Sequence, residues 1–274
     1  MNDKSVKLAL CQIRTETDFG ATMDKAARMV REAAQNGAQI VMLPEMFNCP
    51  YAREYFRSFA ARGHAASVRA MSSWARENRV LLVGGSVPES EDGKLYNTCF
   101  VFDEEGRQIA RHRKAHLFDV DIPGMRFFES HSFAAGDAVT VFDTRWGRMG
   151  AAVCFDVRFP ELFRAMTERG AKLVFLPAQF NQKTGPRHWE LLLRARASDN
   201  QFFVAGCAAA KYEGFSYECW GHSTVVDPFG MVTASCDESE QILYAELDFA
   251  QVDEARRQIP TLSVLREDLY PVAK

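Results

Sequence analysis

Residues 37–48, GAQIVMLPEMFN, and residues 170–181, GAKLVFLPAQFN, carry Gly, Ala, Val, Leu, Pro, Phe and Asn in the same register. Each stretch follows a helical pattern and reads as a buried strand that ends in a proline turn. A repeat of this kind demands two related β-α-β halves. Their apolar strands are covered only if two sheets pack together with the helices outside. The copies also separate scaffold from chemistry. What they share serves the fold, but Glu45 of the first copy is replaced by Ala178 in the second, so the fold does not require an acid there.

The rest of the chain continues the α/β alternation. Strand-like VKLALCQ (6–12) leads to an amphipathic helix over 22–38, where Met23, Ala26, Ala27, Val30 and Ala34 recur at helical spacing. The strand 38–45, a helix ending near Asn78 and the strand 80–85 follow. Hairpins are expected over 95–114, turning at Glu105-Gly106, and over 139–153, turning at Trp146-Gly147. The second half brings helix 159–169, strand 171–180, helix 186–199 and strand 201–210. A hairpin over 223–236, a strand ILYAELD and a helix over 249–258 close the series. No low-complexity tract or Pro/Gly/Ser linker marks a boundary, so residues 1–274 are expected to form one domain.

Composition narrows the class. A 47% hydrophobic content supports a sizeable core, and a net charge of −3 gives no basic field for nucleic acid. Seven cysteines without paired spacing point to reduced thiols rather than a disulfide framework. The N-terminus shows no apolar leader, and no stretch approaches 18 uncharged apolar residues. The expectation is a cytoplasmic protein with neither membrane nor nucleic acid as a partner.

Three positions stand out for chemistry. Glu45 ends the apolar run IVMLPE at a strand's C-terminal edge, where α/β sheets place ligands. A turn cap or an arginine partner is the plainer alternative. Lys114 lies in RHRKAHLFD, with His112 and His116 two residues to either side and on the same side of an extended chain. Metal binding there lacks a CxxC or HExxH companion, and Cys219 with His222 is an isolated pair. Cys154 in GAAVCFDVRFPEL stands where a strand (148–154) meets a helix opened by Pro160. Unpaired N–H groups at such a junction favour a thiolate. Simple packing is the alternative for Cys154, and it suits Cys11, Cys99, Cys207 and Cys236, each inside an apolar run. A redox thiol would need a resolving partner that the sequence does not identify.

Glu45 in LPEMFN, Lys114 in HRKAHLFD and Cys154 in VCFDVRFPE, in that order, resemble the Glu-Lys-Cys triad of the nitrilase (carbon–nitrogen hydrolase) superfamily. The similarity runs over essentially the whole chain. Within the superfamily it is nearest to the omega-amidases, through MLPEMFNCPY, KLYNTCFVF, HLFDVDIPG, FNQKTGPRHWELLLRARASDNQ and WGHSTVVDPFG. The resemblance implies a four-layer α-β-β-α sandwich of two mixed sheets, no metal and no organic cofactor. It also implies a second glutamate beside the triad, matched by Glu129 in FFESHSF, and at least a homodimer. The apolar tail PTLSVLREDLYPV (260–272) is then a candidate to cross the subunit interface.

The same resemblance implies hydrolysis of the terminal amide of short 2-oxo dicarboxylates through a Cys154 thioester. Glu45 is the general base, and Lys114 with the backbone N–H of Phe155 faces the oxyanion. Glu129 is expected to hold Lys114 charged and oriented. The far carboxylate needs a cation, for which Arg158 is the candidate, assisted by Thr184. Pairing of Arg158 with Asp156 is the structural alternative. Tyr51 and Phe180 are candidate pocket walls, though Phe180 matches Phe47 in the repeat and so suits core packing equally. His188 and His222 are expected to make supporting hydrogen bonds. Arg187 and Gln179 depart from the family's pattern, in which smaller residues stand, near the expected acyl pocket. Deaminated glutathione, an N-carbamoyl compound or a nitrile is the alternative substrate.

Overall fold

The computed structural model describes residues 5–211, 217–266, 268 and 269. The first half comprises β1 (Ser5–Gln12), α1 (Phe19–Gln35), β2 (Ile40–Met42), α2 (Arg53–Asn78), β3 (Leu81–Val83), β4 (Val87–Glu91), β5 (Lys94–Phe102) and β6 (Gln108–Arg113). A small hairpin, β7 (Asp119–Ile122) and β8 (Met125–Phe128), connects it to the second half. There follow β9 (Thr140–Thr144), β10 (Gly147–Ala151), α3 (Pro160–Glu168), β11 (Leu173–Ala178), α4 (Gly185–Asn200), β12 (Phe203–Ala208), β13 (Thr224–Val226), β14 (Val232–Ser235), β15 (Gln241–Asp248) and α5 (Ala250–Gln258).

Two mixed sheets result. One runs β15-β1-β2-β3-β5-β4 with β6 paired to β5, and the other runs β14-β13-β12-β11-β10-β9. In the first, β1, β2 and β3 are parallel; in the second, β10, β11 and β12 are parallel. The two copies of the repeat therefore hold the same place, as β2 and β11, each the middle strand of a parallel triplet. This is why both copies are apolar on both faces.

Period-two alternation sorts the side chains into layers. Ala9, Cys11, Val41, Leu82 and Phe100 meet Met23, Val30, Ala33, Met71 and Ala75 of α1 and α2 on the outer face. Leu8, Leu10, Ile40, Met42, Leu81 and Val83 turn inward to the second sheet, whose other face receives Phe163, Met166, Trp189 and Leu193 of α3 and α4. The arrangement is an α-β-β-α sandwich, as the resemblance implied. No helix among the described residues is long and apolar enough to cross a membrane.

Several boundaries differ from the sequence expectation. The strand foreseen over 38–45 ends at Met42, and the strand foreseen over 148–154 ends at Ala151. In both cases the chain leaves the sheet through a residue in the left-handed region, Met46 at φ 48° and Cys154 at φ 46°. Neither is glycine, and such conformations survive only where surrounding contacts enforce them. Gly85 explains how the first turn packs: at φ +58° its backbone lies so near Pro44 that an added Cβ would stand 2.1 Å from the Pro44 carbonyl oxygen. The β4 strand and the β7–β8 hairpin have no counterpart in the sequence expectation. Of the tail 260–274, residues 267 and 270–274 lie outside the described residues; Val264 and Leu269 are each 67% exposed.

Candidate active site

Four segments deliver one charged or nucleophilic side chain each to the same edge of the sandwich. Glu45 follows β2, Lys114 follows β6, Glu129 follows β8 and Cys154 follows β10. Lys114 Nζ donates to Glu45 Oε1 at 2.8 Å and stands 2.8 Å from Glu129 Oε2. All three side chains are fully buried, and Cys154 is 5% exposed. The Cys154 thiol lies within electrostatic reach of the Glu45 carboxylate.

Three buried charges persist because their remaining hydrogen-bonding positions are filled. Asn97 of β5 donates its Nδ2 to Glu45 Oε1 at 2.8 Å and to Glu129 Oε1 at 3.0 Å. Phe118 N–H donates to Glu129 Oε2 at 2.7 Å, and Gln179 N–H donates to Glu45 Oε2 at 2.9 Å. Gln179 Nε2 also reaches the Glu45 carbonyl at 2.6 Å. Gln179, expected near the acyl pocket, thus serves as a brace for Glu45. Arg187 is exposed on α4.

Electrostatics set the proton positions. Burial pushes the Glu45 carboxyl above the usual carboxylate range; the Lys114 charge opposes this and Glu129 reinforces it. Burial alone would lower the Lys114 ammonium, but Glu129 and Glu45 outweigh it and hold the charge. Burial, seconded by the Glu45 charge, pushes the Cys154 thiol well up despite Lys114. This direction opposes the one expected from the junction's N–H groups.

The turn at Cys154 is closed by Asp156. Its N–H donates to the Val153 carbonyl at 3.0 Å, and its Oδ2 accepts from Val153 N–H at 2.9 Å. The first bond of the 3-10 turn over Cys154–Arg158 is thus made by Asp156, which leaves the N–H of Phe155 ahead of the turn's own bonds. Both histidines flanking Lys114 also reach Asp156: His112 Nε2 lies 3.1 Å from Oδ2 and His116 Nδ1 lies 2.7 Å from Oδ1. Against burial, these bonds hold the Asp156 carboxyl below its ordinary range.

With Asp156 so engaged, Arg158 has no carboxylate partner among the described residues. Its guanidinium lies 5.4 Å from the centres of both the Phe155 and Phe180 rings, and its nitrogens approach His188 Nδ1 at 3.4 Å. Its Nε is buried with no hydrogen-bond partner. Phe180 does double duty, packing on Trp189 at 5.0 Å. Thr184 is not brought to Arg158: its Oγ1 donates to Asn181 Oδ1 at 3.2 Å at the start of α4. Tyr51 stacks with Phe127 and Tyr217, and these three line a cavity of about 490 Å³ together with Arg53, Arg126 and Lys183. Cys219 turns to Gln179 and His222 to the Trp220 carbonyl, so the two do not form a pair.

Asn97 and Tyr217 were not foreseen, and Asp156 was expected only as a partner for Arg158, not for His112 and His116. Asn97 did leave a signal, an amide inside the apolar run LYNTCFVF; the other two depend on contacts across the fold.

Known proteins place this arrangement. Over 267 residues the chain is 46% identical to omega-amidase NIT2 of Mus musculus, covering 97% of each chain. The crystal structure of Saccharomyces cerevisiae Nit3, a member of branch 10 of the nitrilase superfamily, superposes with a TM-score of 0.87 at 38% identity, over 94% of this chain and 95% of that one. A mutant of the amidase from Nesterenkonia sp. AN1, showing Michael addition of acrylamide at its active-site cysteine, has a TM-score of 0.77 at 25% identity, over 94% of this chain and 100% of that one. The carbon-nitrogen hydrolase family matches residues 7–257. By that match, and by a buried cluster assembled from both halves of its repeat, this chain belongs to the carbon-nitrogen hydrolase family.

Proposed function

We infer that the chain is an omega-amidase that hydrolyses the terminal amide of short 2-oxo dicarboxylate monoamides through a Cys154 thioester. One observation carries the chemistry: Glu45 bonds the Lys114 ammonium at 2.8 Å inside a buried cluster whose charges also act on the Cys154 thiol. Glu45 takes the thiol proton as sulfur attacks the amide carbon. Negative charge develops on the carbonyl oxygen, facing Lys114 and the N–H of Phe155. Collapse of the tetrahedral adduct breaks the C–N bond, and Glu45 returns its proton to the departing ammonia. The carboxylate then deprotonates a water, which attacks the thioester and releases the acid with the thiol restored. Glu129 holds Lys114 charged throughout.

Arg158 supports the substrate class. A half-buried guanidinium without a carboxylate partner, seated between two rings, suits a substrate carboxylate. The similarity to the mouse omega-amidase supports the same reading. Tyr51 and Phe180 are the walls; Thr184 enters only by fixing the α4 terminus. Residues 1–274 acting as one domain, a homo-oligomer sealed in part by the 260–274 tail, and a cytoplasmic location complete the proposal. Seven free cysteines support that compartment. Sedimentation of the full chain against a chain truncated at 259 tests the tail.

The deciding assay is ammonia release from 2-oxoglutaramate against deaminated glutathione. A higher kcat/KM for the glutathione derivative overturns the substrate assignment. Full turnover in Cys154→Ala overturns the mechanism.

A further inference from the structure

We propose that Asp156 is a positioning residue that locks the nucleophile and the oxyanion-facing lysine into one register, with His112 and His116 as its two arms. The proposal rests on Cys154 and Lys114 acting as described above. Asp156 is fully buried and none of its bonds reaches a cation of the surface. Its Oδ2 accepts from Val153 N–H at 2.9 Å and faces His112 Nε2 at 3.1 Å. Its Oδ1 accepts from His116 N–H at 2.9 Å and faces His116 Nδ1 at 2.7 Å. One carboxylate thus meets four nitrogens, contributed by two segments that are distant in the chain.

Each segment carries one reacting group between its anchors. On one side, Val153 and Asp156 bracket Cys154, whose φ of 46° is uncommon for a residue with a side chain. The pair of bonds between Val153 and Asp156 closes a ring around that conformation, and such strain persists only where neighbours over-determine it. On the other side, His112 and His116 stand two residues before and after Lys114. Lys114 is further pinned in that span, its N–H donating to the Asn97 carbonyl at 2.9 Å and its carbonyl accepting from Gly136 N–H at 2.9 Å. Both arms are themselves held. His112 Nδ1 faces Thr140 Oγ1 at 2.9 Å, and the His116 ring stacks on Phe159 with centroids 3.5 Å apart.

The donors fit an ionised carboxylate. Two backbone N–H groups and two imidazole nitrogens fill its acceptor positions. An asparagine at 156 keeps the shape but puts an NH₂ group where one oxygen met a backbone N–H and an imidazole nitrogen, so the backbone N–H at least is left facing a donor. A displacement of about 1 Å between reacting groups is enough to cost on the order of 10²-fold in rate. Asp156 does not touch substrate. Its loss therefore lowers kcat and leaves KM for the amide largely alone.

The test compares Asp156→Asn, His116→Ala and His116→Asn in the full-length protein. Each is assayed for kcat, KM, thermal transition and the rate of acrylamide addition at Cys154 read by mass spectrometry. For Asp156→Asn, kcat and Cys154 alkylation should fall together by about 10²-fold, with KM within about threefold. For His116→Ala, whose side chain is 31% exposed, a fall of about tenfold is expected. His116→Asn, whose amide nitrogen can stand in for Nδ1, should recover most of it. Wild-type kcat in a folded Asp156→Asn overturns the proposal. So does a loss explained by the unfolded fraction alone, with kcat per alkylatable Cys154 unchanged. Should Asp156→Asn fail to fold, wild-type kcat in His116→Ala overturns it. Cys154→Ala is run alongside: full turnover there overturns the amidase reading, whereas wild-type turnover in the other variants overturns only the clamp.

Discussion

The Lys114 ammonium stands 2.8 Å from Glu45 Oε1, and neither side chain has any exposure to solvent. Glu129 completes the group from the opposite side at 2.8 Å, so one cation serves two carboxylates. A buried ion cluster of this kind has little to offer stability over apolar packing, and its retention is explained by chemistry. The consequences of disturbing each member differ, and they separate the roles.

Replacing Lys114 by Met removes the cation that two buried carboxylates share. Breaking a buried pair from one side typically costs about 3–5 kcal/mol, so both activity and the denaturation midpoint should fall. Glu45→Gln, by contrast, preserves the shape and removes the base. A kcat loss of about 10²–10⁴-fold is expected, with a smaller fall in the midpoint than in Lys114→Met because Glu129 still pairs with Lys114. Equal effects of the two variants on stability would contradict the assigned charges.

Asn97→Leu withdraws the amide that Glu45 and Glu129 share. Each carboxylate then lacks one donor in a buried setting, at about 1–3 kcal/mol apiece. Chemical denaturation should show a destabilisation near the sum. A variant as stable as the wild type would show that the carboxylates find other donors.

The pH profile follows from the direction of each shift. Glu45 has a raised folded-state pKa and acts as a base only when ionised. The acid limb of kcat/KM should therefore lie above the ordinary glutamate value of about 4.3. Asp156 is lowered, so its contribution to stability is present above the ordinary aspartate value of about 3.9 and is lost as pH falls below it. Lys114 is raised; its contribution is complete below about 10.4 and is lost only at more alkaline pH. Stability measured across pH should show acid loss and alkaline loss, with the acid loss diminished in Asp156→Asn.

Arg158→Lys tests substrate recognition. A lysine keeps the charge but not the planar fork. KM for a 2-oxo dicarboxylate monoamide should rise by about tenfold or more, equivalent to about 1.4 kcal/mol, while a neutral amide such as propionamide is unaffected. An equal rise for both substrates would assign Arg158 to packing.

Gly85→Ala forces a Cβ to within 2.1 Å of the Pro44 carbonyl and demands a positive φ from alanine. A loss of more than about 1 kcal/mol is expected, with kcat reduced because Glu45 follows Pro44 directly. Normal kinetics would show that the Glu45 turn is held independently of the Gly85 approach.

Much of this protein is determined by the sequence. The repeat at 37–48 and 170–181 predicts two halves, because apolar runs of strand length must be covered on both faces, and β2 and β11 occupy matching places. The replacement of Glu45 by Ala178 in the second copy marks Glu45, since an acid absent from one copy is not needed by the fold. Lys114 and Cys154 are marked by local pattern together with the family resemblance.

The tertiary structure decided what depends on distance in space. Asn97 lies 32 residues from Glu129 and 52 from Glu45, yet one amide nitrogen serves both. Asp156 is a plausible partner for Arg158 on sequence spacing alone. Folding delivers His112 and His116 to it instead. The upward push on the thiol likewise follows from burial and the nearby Glu45 charge rather than from the turn that holds it. Local sequence specifies where a strand ends and a turn begins. Which charges are desolvated together is set only when the two sheets close, because desolvation depends on everything packed around a group.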